Sequence, residues 1–259
     1  MAPRGIVFLM YHELELPGRP LCQSEPGYVR YILSEASFRS QMDWLQRNGW
    51  QGLSVSEALT FPAGKSVAIT FDDGSETDLT VAAPILKEIG YHATFYVTAG
   101  FLDKPGYMSA EQLHQLSSSG FEIGCHSMTH AYLNDLGPAE LRHELLDARS
   151  KLEDVTGKKV EHFSCPGGRY NERTLDVAKH GGYHSLATSR ARPNSPSTNT
   201  FSLGRVAIMR DTRESTFSRI CAGSGLWKTQ LSESARGAAR TLLGNSLYDR
   251  FRTVLLRQP

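Results

Sequence analysis

Two adjacent carboxylates, Asp72 and Asp73, close the apolar run Val67–Phe71 and are followed by Gly74. Paired acids at a strand end suit general-base work or metal ligation, although Asp-Gly by itself is also ordinary turn chemistry. Further along, His126 and His130 follow the run Phe121–Gly124. Imidazoles at i and i+4 lie on one face if the turn is helical, a spacing that suits one divalent ion. Asp, His and His at successive strand ends supply three ligands of borderline hardness and leave a coordination position open for water. That is the composition of a catalytic metal centre rather than a structural one. A third cluster, Cys165-Pro166-Gly167-Gly168-Arg169-Tyr170-Asn171, again follows a strand-like run. Its double glycine permits a tight loop whose backbone N–H groups could face an oxyanion, but alone it reads as a strand-to-helix loop.

The elements that must carry these clusters alternate. Strand-like runs are Ile6–Tyr11, Val67–Phe71, Ala93–Val97, Phe121–Gly124, Val160–Cys165, Ser185–Thr188 and Leu203–Met209, each bounded by turn residues. Helical signals lie between most of them. Ser37 reads as an N-cap before Phe38, Met42 and Leu45, with a stop at Asn48-Gly49. Ser109 and Gln112 make a capping box for a helix that ends near Gly120. Pro138 opens a helix through Leu141, Leu145 and Leu152 to about Val155, stopping before Gly157. Strands alternating with helices predict an α/β fold with parallel strands, as an open sheet or a barrel, and about seven strands suit a barrel-like domain. The Arg190–Thr200 stretch, rich in Pro, Ser and Asn, is a loop, and so is Glu13–Glu35, long enough to be functional.

Composition narrows the classes. The 259 residues hold 28 Lys plus Arg against 27 Asp plus Glu, without the basic excess of a nucleic-acid binder. No apolar run is long enough for a membrane span, and the Ile6–Met10 run is too short for a secretory signal, so the expected location is the cytoplasm. Cys22, Cys125, Cys165 and Cys221 show no CxxC spacing and read as free thiols. After about Thr212 the pattern is helical only, and 232–257 reads as a basic amphipathic helix packed on the domain, with peripheral membrane contact as the other reading. The expected organisation is a domain over 1–212 and a helical extension over 213–259.

Taken in order, the motifs resemble the polysaccharide deacetylase family, carbohydrate esterases with a NodB homology domain. The resemblance covers Met10-Tyr11-His12, Phe38-x-x-Gln41-Met42-x-x-Leu45, Thr70–Gly74, Ala93-Thr94-Phe95 and Glu122-Ile123-Gly124-x-His126-x-x-x-His130. In style it is similar to members from exopolysaccharide loci. The family implies a distorted (β/α) barrel of about seven parallel strands. It implies Asp72 as general base and Asp73, His126 and His130 as ligands of a divalent metal, zinc by the ligand set. It further implies attack of an ion-activated water on an acetyl carbonyl, with an oxyanion donor in the Gly167-Gly168 loop.

Two departures accompany the resemblance. Ser164 stands where the family's third motif carries an Arg that steadies the base, and Arg169 is the nearest replacement in sequence. The family's final Leu-x-His, whose His is the general acid, has no match, since no His follows His184. His12 is the candidate replacement, because the last strand of a barrel closes beside the first. Tyr28 and Tyr31 in the long loop are candidates to stack on sugar rings. The sequence thus points to a metal-dependent hydrolase removing N-acetyl groups from amino sugars of a polysaccharide, glycan precursor or lipid-linked saccharide. An O-acetyl esterase and a degenerate glycan-binding homologue are the alternatives.

Overall fold

The structure is a computed structural model and describes residues 5–226 and residue 230. The strands are β1 Val7–Tyr11, β2 Leu14–Glu15, β3 Leu33–Ser34, β4 Gln51–Leu53, β5 Ser66–Asp73, β6 Thr94–Val97, β7 Glu122–Cys125, β8 His162–Ser164, β9 Ser185–Ala187 and β10 Val206–Ala207. The helices are α1 Pro26–Val29, α2 Glu35–Arg47, α3 Val55–Ala58, α4 Ala83–Glu88, α5 Ala110–Ser118, α6 Pro138–Arg142, α7 Ala148–Thr156, α8 Glu172–His180 and α9 Glu214–Cys221. Single π-helical turns, Asp78–Ala82 and His143–Asp147, lead into α4 and join α6 to α7.

Seven parallel strands run in the order β10-β1-β5-β6-β7-β8-β9, and β4 pairs with the first half of β5. The ring closes through one segment. Leu203 bridges to Ala187 of β9, while Val206 and Ala207 pair with Leu9 and Met10 of β1. The fold is therefore the distorted (β/α) barrel that the sequence implies. All strands are parallel, so their C-terminal ends share one rim, where α/β active sites form.

Period-two alternation sorts the side chains. Val7, Leu9 and Tyr11 of β1 and Val67, Ile69 and Phe71 of β5 join the large core under the helices. Phe8, Ala68 and Tyr96 of the neighbouring strands β1, β5 and β6 meet Ala187 of β9 and Leu203 of the closing segment in one cluster, so they fill the barrel interior. Val55 and Ala58 of α3 complete that cluster. The interior series of β5 continues Ala68, Thr70, Asp72, and that of β1 continues Phe8, Met10, His12. The alternation that packs the interior thus delivers the polar residues of the rim to its centre.

Several boundaries differ from the sequence reading. Helix α2 is capped by Ser34, whose hydroxyl accepts from the Ser37 N–H at 3.1 Å, so the cap lies one turn earlier than Ser37. The long loop after β1 contains β2, α1 and β3. The capping box at Ser109 and the helix opening at Pro138 stand as read, the latter with a π turn inside it. The four cysteines are free. Helix α9 inserts Phe217 into the core against Trp44, with ring centroids 5.8 Å apart. The basic amphipathic segment 232–257 lies outside the described residues.

Candidate active site

Asp72 ends the interior face of β5, and its carboxylate is buried in a bidentate pair with Arg205. Arg205 Nη1 donates to Oδ1 and Nη2 to Oδ2, each at 2.7 Å. The remaining guanidinium hydrogens reach Ser164 Oγ at 2.7 Å, Thr70 Oγ1 at 3.3 Å and the Thr188 carbonyl at 3.1 Å. All five donors of a fully buried Arg are thereby matched. Burial alone would raise the Asp72 carboxyl, but Arg205 and His126 outweigh it and hold the group well below the usual carboxylate range. Asp72 is ionised at any physiological pH, and the planar fork fixes its orientation.

Asp73 would face outward if β5 stayed regular. Its φ of +82° turns it instead, and Gly74 follows at +87°. The break in alternation sits on Asp73 itself, not only at Gly74. A Cβ on Gly74 would lie 2.9 Å from Val97 Cγ1, so the turn requires glycine for space as well as φ. Asp73 Oδ1 is buried without a hydrogen-bond partner among the described residues, 3.5 Å from His126 Nε2 and 3.4 Å from His130 Nε2. His126 Nε2 is also 3.9 Å from Asp72 Oδ2.

The two histidines converge without a helical turn. Residues 126–130 form a loop in which Ser127 and His130 take φ of +68° and +64°. The His130 N–H donates to Ser127 Oγ at 2.9 Å, folding the loop back on itself. His126 Nδ1 lies 2.9 Å from the Ser164 carbonyl and donates to it, which leaves the Nε2 lone pair toward Asp73. Burial pushes the His126 imidazole down to about 4 against the pull of Asp72, so it is neutral near pH 7, as a ligand must be.

Asp73, His126 and His130 each offer one ligand atom, all within 4.8 Å of one another. A buried, unpartnered carboxylate oxygen facing two imidazole nitrogens, one with its tautomer fixed, fits a divalent cation.

The other sequence candidates are distributed around this centre. His12 ends the interior series of β1, stacks on Tyr31 at 5.1 Å and lies near Asp72, with its Nδ1 buried and unpartnered among the described residues. The Tyr28 hydroxyl donates to Glu13 Oε2 at 3.2 Å, and its ring is edge-on to His12 at 6.5 Å. The Gly168 N–H is committed to the Cys165 carbonyl at 2.9 Å, which leaves Gly167 as the candidate donor of the pair. Arg169 is not the partner of Asp72. Its guanidinium sits 3.5 Å over the Tyr132 ring, and the Asp72 pair belongs to Arg205. Sequence reading missed Arg205. The available signal was the Leu-x-His position of the last motif, which Leu203-Gly204-Arg205 occupies with an Arg.

Comparison with known proteins follows the same lines. The polysaccharide deacetylase family model matches residues 61–186. The Bacillus subtilis (strain 168) protein YxkH, by name a polysaccharide deacetylase, is 30% identical over 212 residues, covering 80% of this chain and 72% of that protein. The poly-beta-1,6-N-acetyl-D-glucosamine N-deacetylase of Staphylococcus aureus (strain MRSA252) is 26% identical over 204 residues, 71% of this chain and 70% of its own. The solved structure of IcaB from Ammonifex degensii superposes with a TM-score of 0.70 at 26% identity, covering 85% of this chain and 97% of that one. With the barrel, the Asp-Asp and His-His motifs and a relative matched over most of both lengths, the chain belongs to the polysaccharide deacetylase family.

Proposed function

We propose that this chain is a divalent-metal-dependent N-deacetylase acting on acetylated amino sugars of a polysaccharide or glycan precursor. The observation that carries the reading is the unpartnered Asp73 oxygen facing His126 and His130, beside an Asp72 that Arg205 keeps ionised and aimed. Asp73, His126 and His130 would hold the ion; zinc, the choice the donor set favours, supplies Lewis-acid polarisation of the acetyl carbonyl and of water. Asp72 accepts the proton of the attacking water, whose oxygen adds to the acetyl carbon. Arg205 keeps that carboxylate from rotating away and from being protonated beforehand. The Gly167 N–H would donate to the oxyanion. His12, whose ring stacks on Tyr31 and meets Tyr28 edge-on, gives a proton to the departing amine as the C–N bond breaks. Tyr28 and Tyr31, partly exposed beside His12, would stack on a sugar ring entering the site. The reading also draws on the 26% identity to the staphylococcal glucosamine-polymer deacetylase.

The test is acetate release from N-acetylglucosamine oligomers and O-acetylated glycans by purified chain, before and after chelation and with zinc restored. Release from the N-acetyl substrates that chelation stops and zinc restores is the expected result. Release only from O-acetyl substrates, or release indifferent to chelation, overturns it.

A further inference from the structure

Both histidine ligands come from a loop, and the backbone of that loop is held from outside it by one carboxylate. Glu144 lies on the π turn His143–Asp147 between α6 and α7 and is 4% exposed. Its Oε2 accepts from the Met128 N–H at 3.0 Å and the Thr129 N–H at 2.8 Å, and its Oε1 accepts the Thr129 hydroxyl at 2.6 Å. These three bonds fall between His126 and His130. The opposite side of the loop is fixed by the backbone of residues 99 and 100 and by the Thr98 hydroxyl, which donates to the His126 carbonyl at 3.2 Å. The Ala99 and Gly100 N–H groups donate to the Ser127 and Met128 carbonyls at 3.0 and 2.8 Å. Gly100 allows that approach, since a Cβ there would sit 2.4 Å from the Met128 oxygen.

The loop does not hold this shape on local preference. Ser127 and His130 both occupy left-handed backbone, a state that is unfavourable for non-glycine residues and persists only where the surroundings over-determine it. Without Glu144, two adjacent N–H groups lose their acceptor and the loop loses its outer anchor. The π turn carries the residue that supplies that anchor, an irregularity often found at functional sites. Asp147, on the same turn, is exposed and pairs with His143, outside this network.

We infer that Glu144 is a positioning residue for the metal centre: through the Met128 and Thr129 backbone it sets the separation and orientation of His126 and His130, and so the affinity of the site for its ion. The inference rests on the metal-dependent reading above. It is tested with zinc alone, by competition against a chromophoric chelator, on the full chain and its Glu144→Ala, Glu144→Gln, Thr129→Val and Asp147→Ala variants, with the melting temperature of each metal-free protein measured in parallel. Loss of a group supporting a ligand typically weakens metal binding 10–100-fold, and about that loss is expected in Glu144→Ala. Glu144→Gln keeps one carbonyl acceptor for the two N–H groups and recovers part of the affinity. Thr129→Val, which removes only the hydroxyl contact, gives a smaller loss, and Asp147→Ala gives none. Zinc affinity within about twofold of wild type in folded Glu144→Ala, with only its melting temperature lowered, overturns the inference and leaves Glu144 a structural cap. If Glu144→Ala does not fold, unchanged affinity in both Glu144→Gln and Thr129→Val overturns it equally. Wild-type chain that takes up no zinc overturns the metal-dependent reading itself, and this inference with it, a result distinct from intact binding in the variants.

Discussion

Asp72 and Asp73 are neighbours in sequence with different surroundings, and the separate roles proposed for them rest on that difference. Asp72 continues the interior alternation of β5 and meets Arg205; Asp73 leaves the alternation at φ +82° and meets two imidazoles. Asp72→Asn retains size but cannot take a proton as a carboxylate does. It should keep metal content near wild type and lower kcat by roughly 10²–10⁴. Asp73→Asn should lose bound metal, and elemental analysis of both variants beside steady-state kinetics separates the two roles. A second outcome follows from the depth of the Arg205 pair. Removing one partner of a buried ion pair leaves an uncompensated charge, costing about 3–5 kcal/mol. Arg205→Leu should therefore lower unfolding free energy by that order in urea. It should also let the Asp72 carboxyl rise from its depressed value, because burial is then opposed only by His126 and His12. Arg205→Lys should recover little of the activity, since an ammonium cannot span both carboxylate oxygens as the fork does.

At the scale of elements, what was legible in the sequence was what rests on local pattern. The main strands of the barrel stood out because β-branched and aromatic runs end in turn residues. The Asp72 end of β5 and the His12 end of β1 could be placed because alternation is a local property. What escaped depends on chain closure or on packing too local to leave a pattern. Gln51-Gly52-Leu53 has no β-branched residue, yet it is strand β4, and a Cβ at Gly52 would meet the Tyr91 ring at 2.6 Å. The Ser34 and Ser37 caps are chemically equivalent in sequence, and only the backbone geometry distinguishes them. Arg205 could not be paired with Asp72 by spacing, since 133 residues separate them and the partner is set by which strand closes the ring. That closing segment gives an element-scale prediction. A Cβ on Gly204 would lie 2.3 Å from Arg192 Cγ and within 2.8 Å of the Arg190 and Arg192 carbonyl oxygens. Gly204→Ala should shift the 203–207 segment, destabilise by about 1–3 kcal/mol as an overpacked site does, and lower kcat through Arg205 with metal content unchanged. Wild-type urea midpoint and kcat together in this variant would mean that the segment has slack the packing does not indicate.

Across the whole molecule, the barrel gathers acidic groups at one rim, and the position of one of them makes stability depend on pH. Asp78, on the π turn before α4, is buried, and both its carboxyl oxygens lack a hydrogen-bond partner among the described residues. Burial raises its carboxyl well above the ordinary 3.8; Asp73, Glu13 and Asp72 push the same way, and Arg19 opposes them. The folded chain therefore keeps this proton where the unfolded chain has released it. A raised carboxyl contributes stability that is fully present below the unfolded value and is lost as pH rises toward the folded one. His126 acts oppositely in part of the same range, since its folded value of about 4 lies below the ordinary 6.5 and its contribution declines as pH falls between them. A single stability curve would mix the two, whereas comparison with Asp78→Asn cancels the His126 contribution, which both proteins share. Above about pH 4 the unfolding free energy of metal-free wild type should fall relative to Asp78→Asn, at up to about 1.4 kcal/mol per pH unit. Urea midpoints of the two proteins, measured with chelator present from about pH 4 to pH 7, read the gap directly. A gap that widens in favour of the Asn variant as pH rises fits a carboxyl held protonated in the fold, whereas parallel curves would show that Asp78 ionises alike in both states.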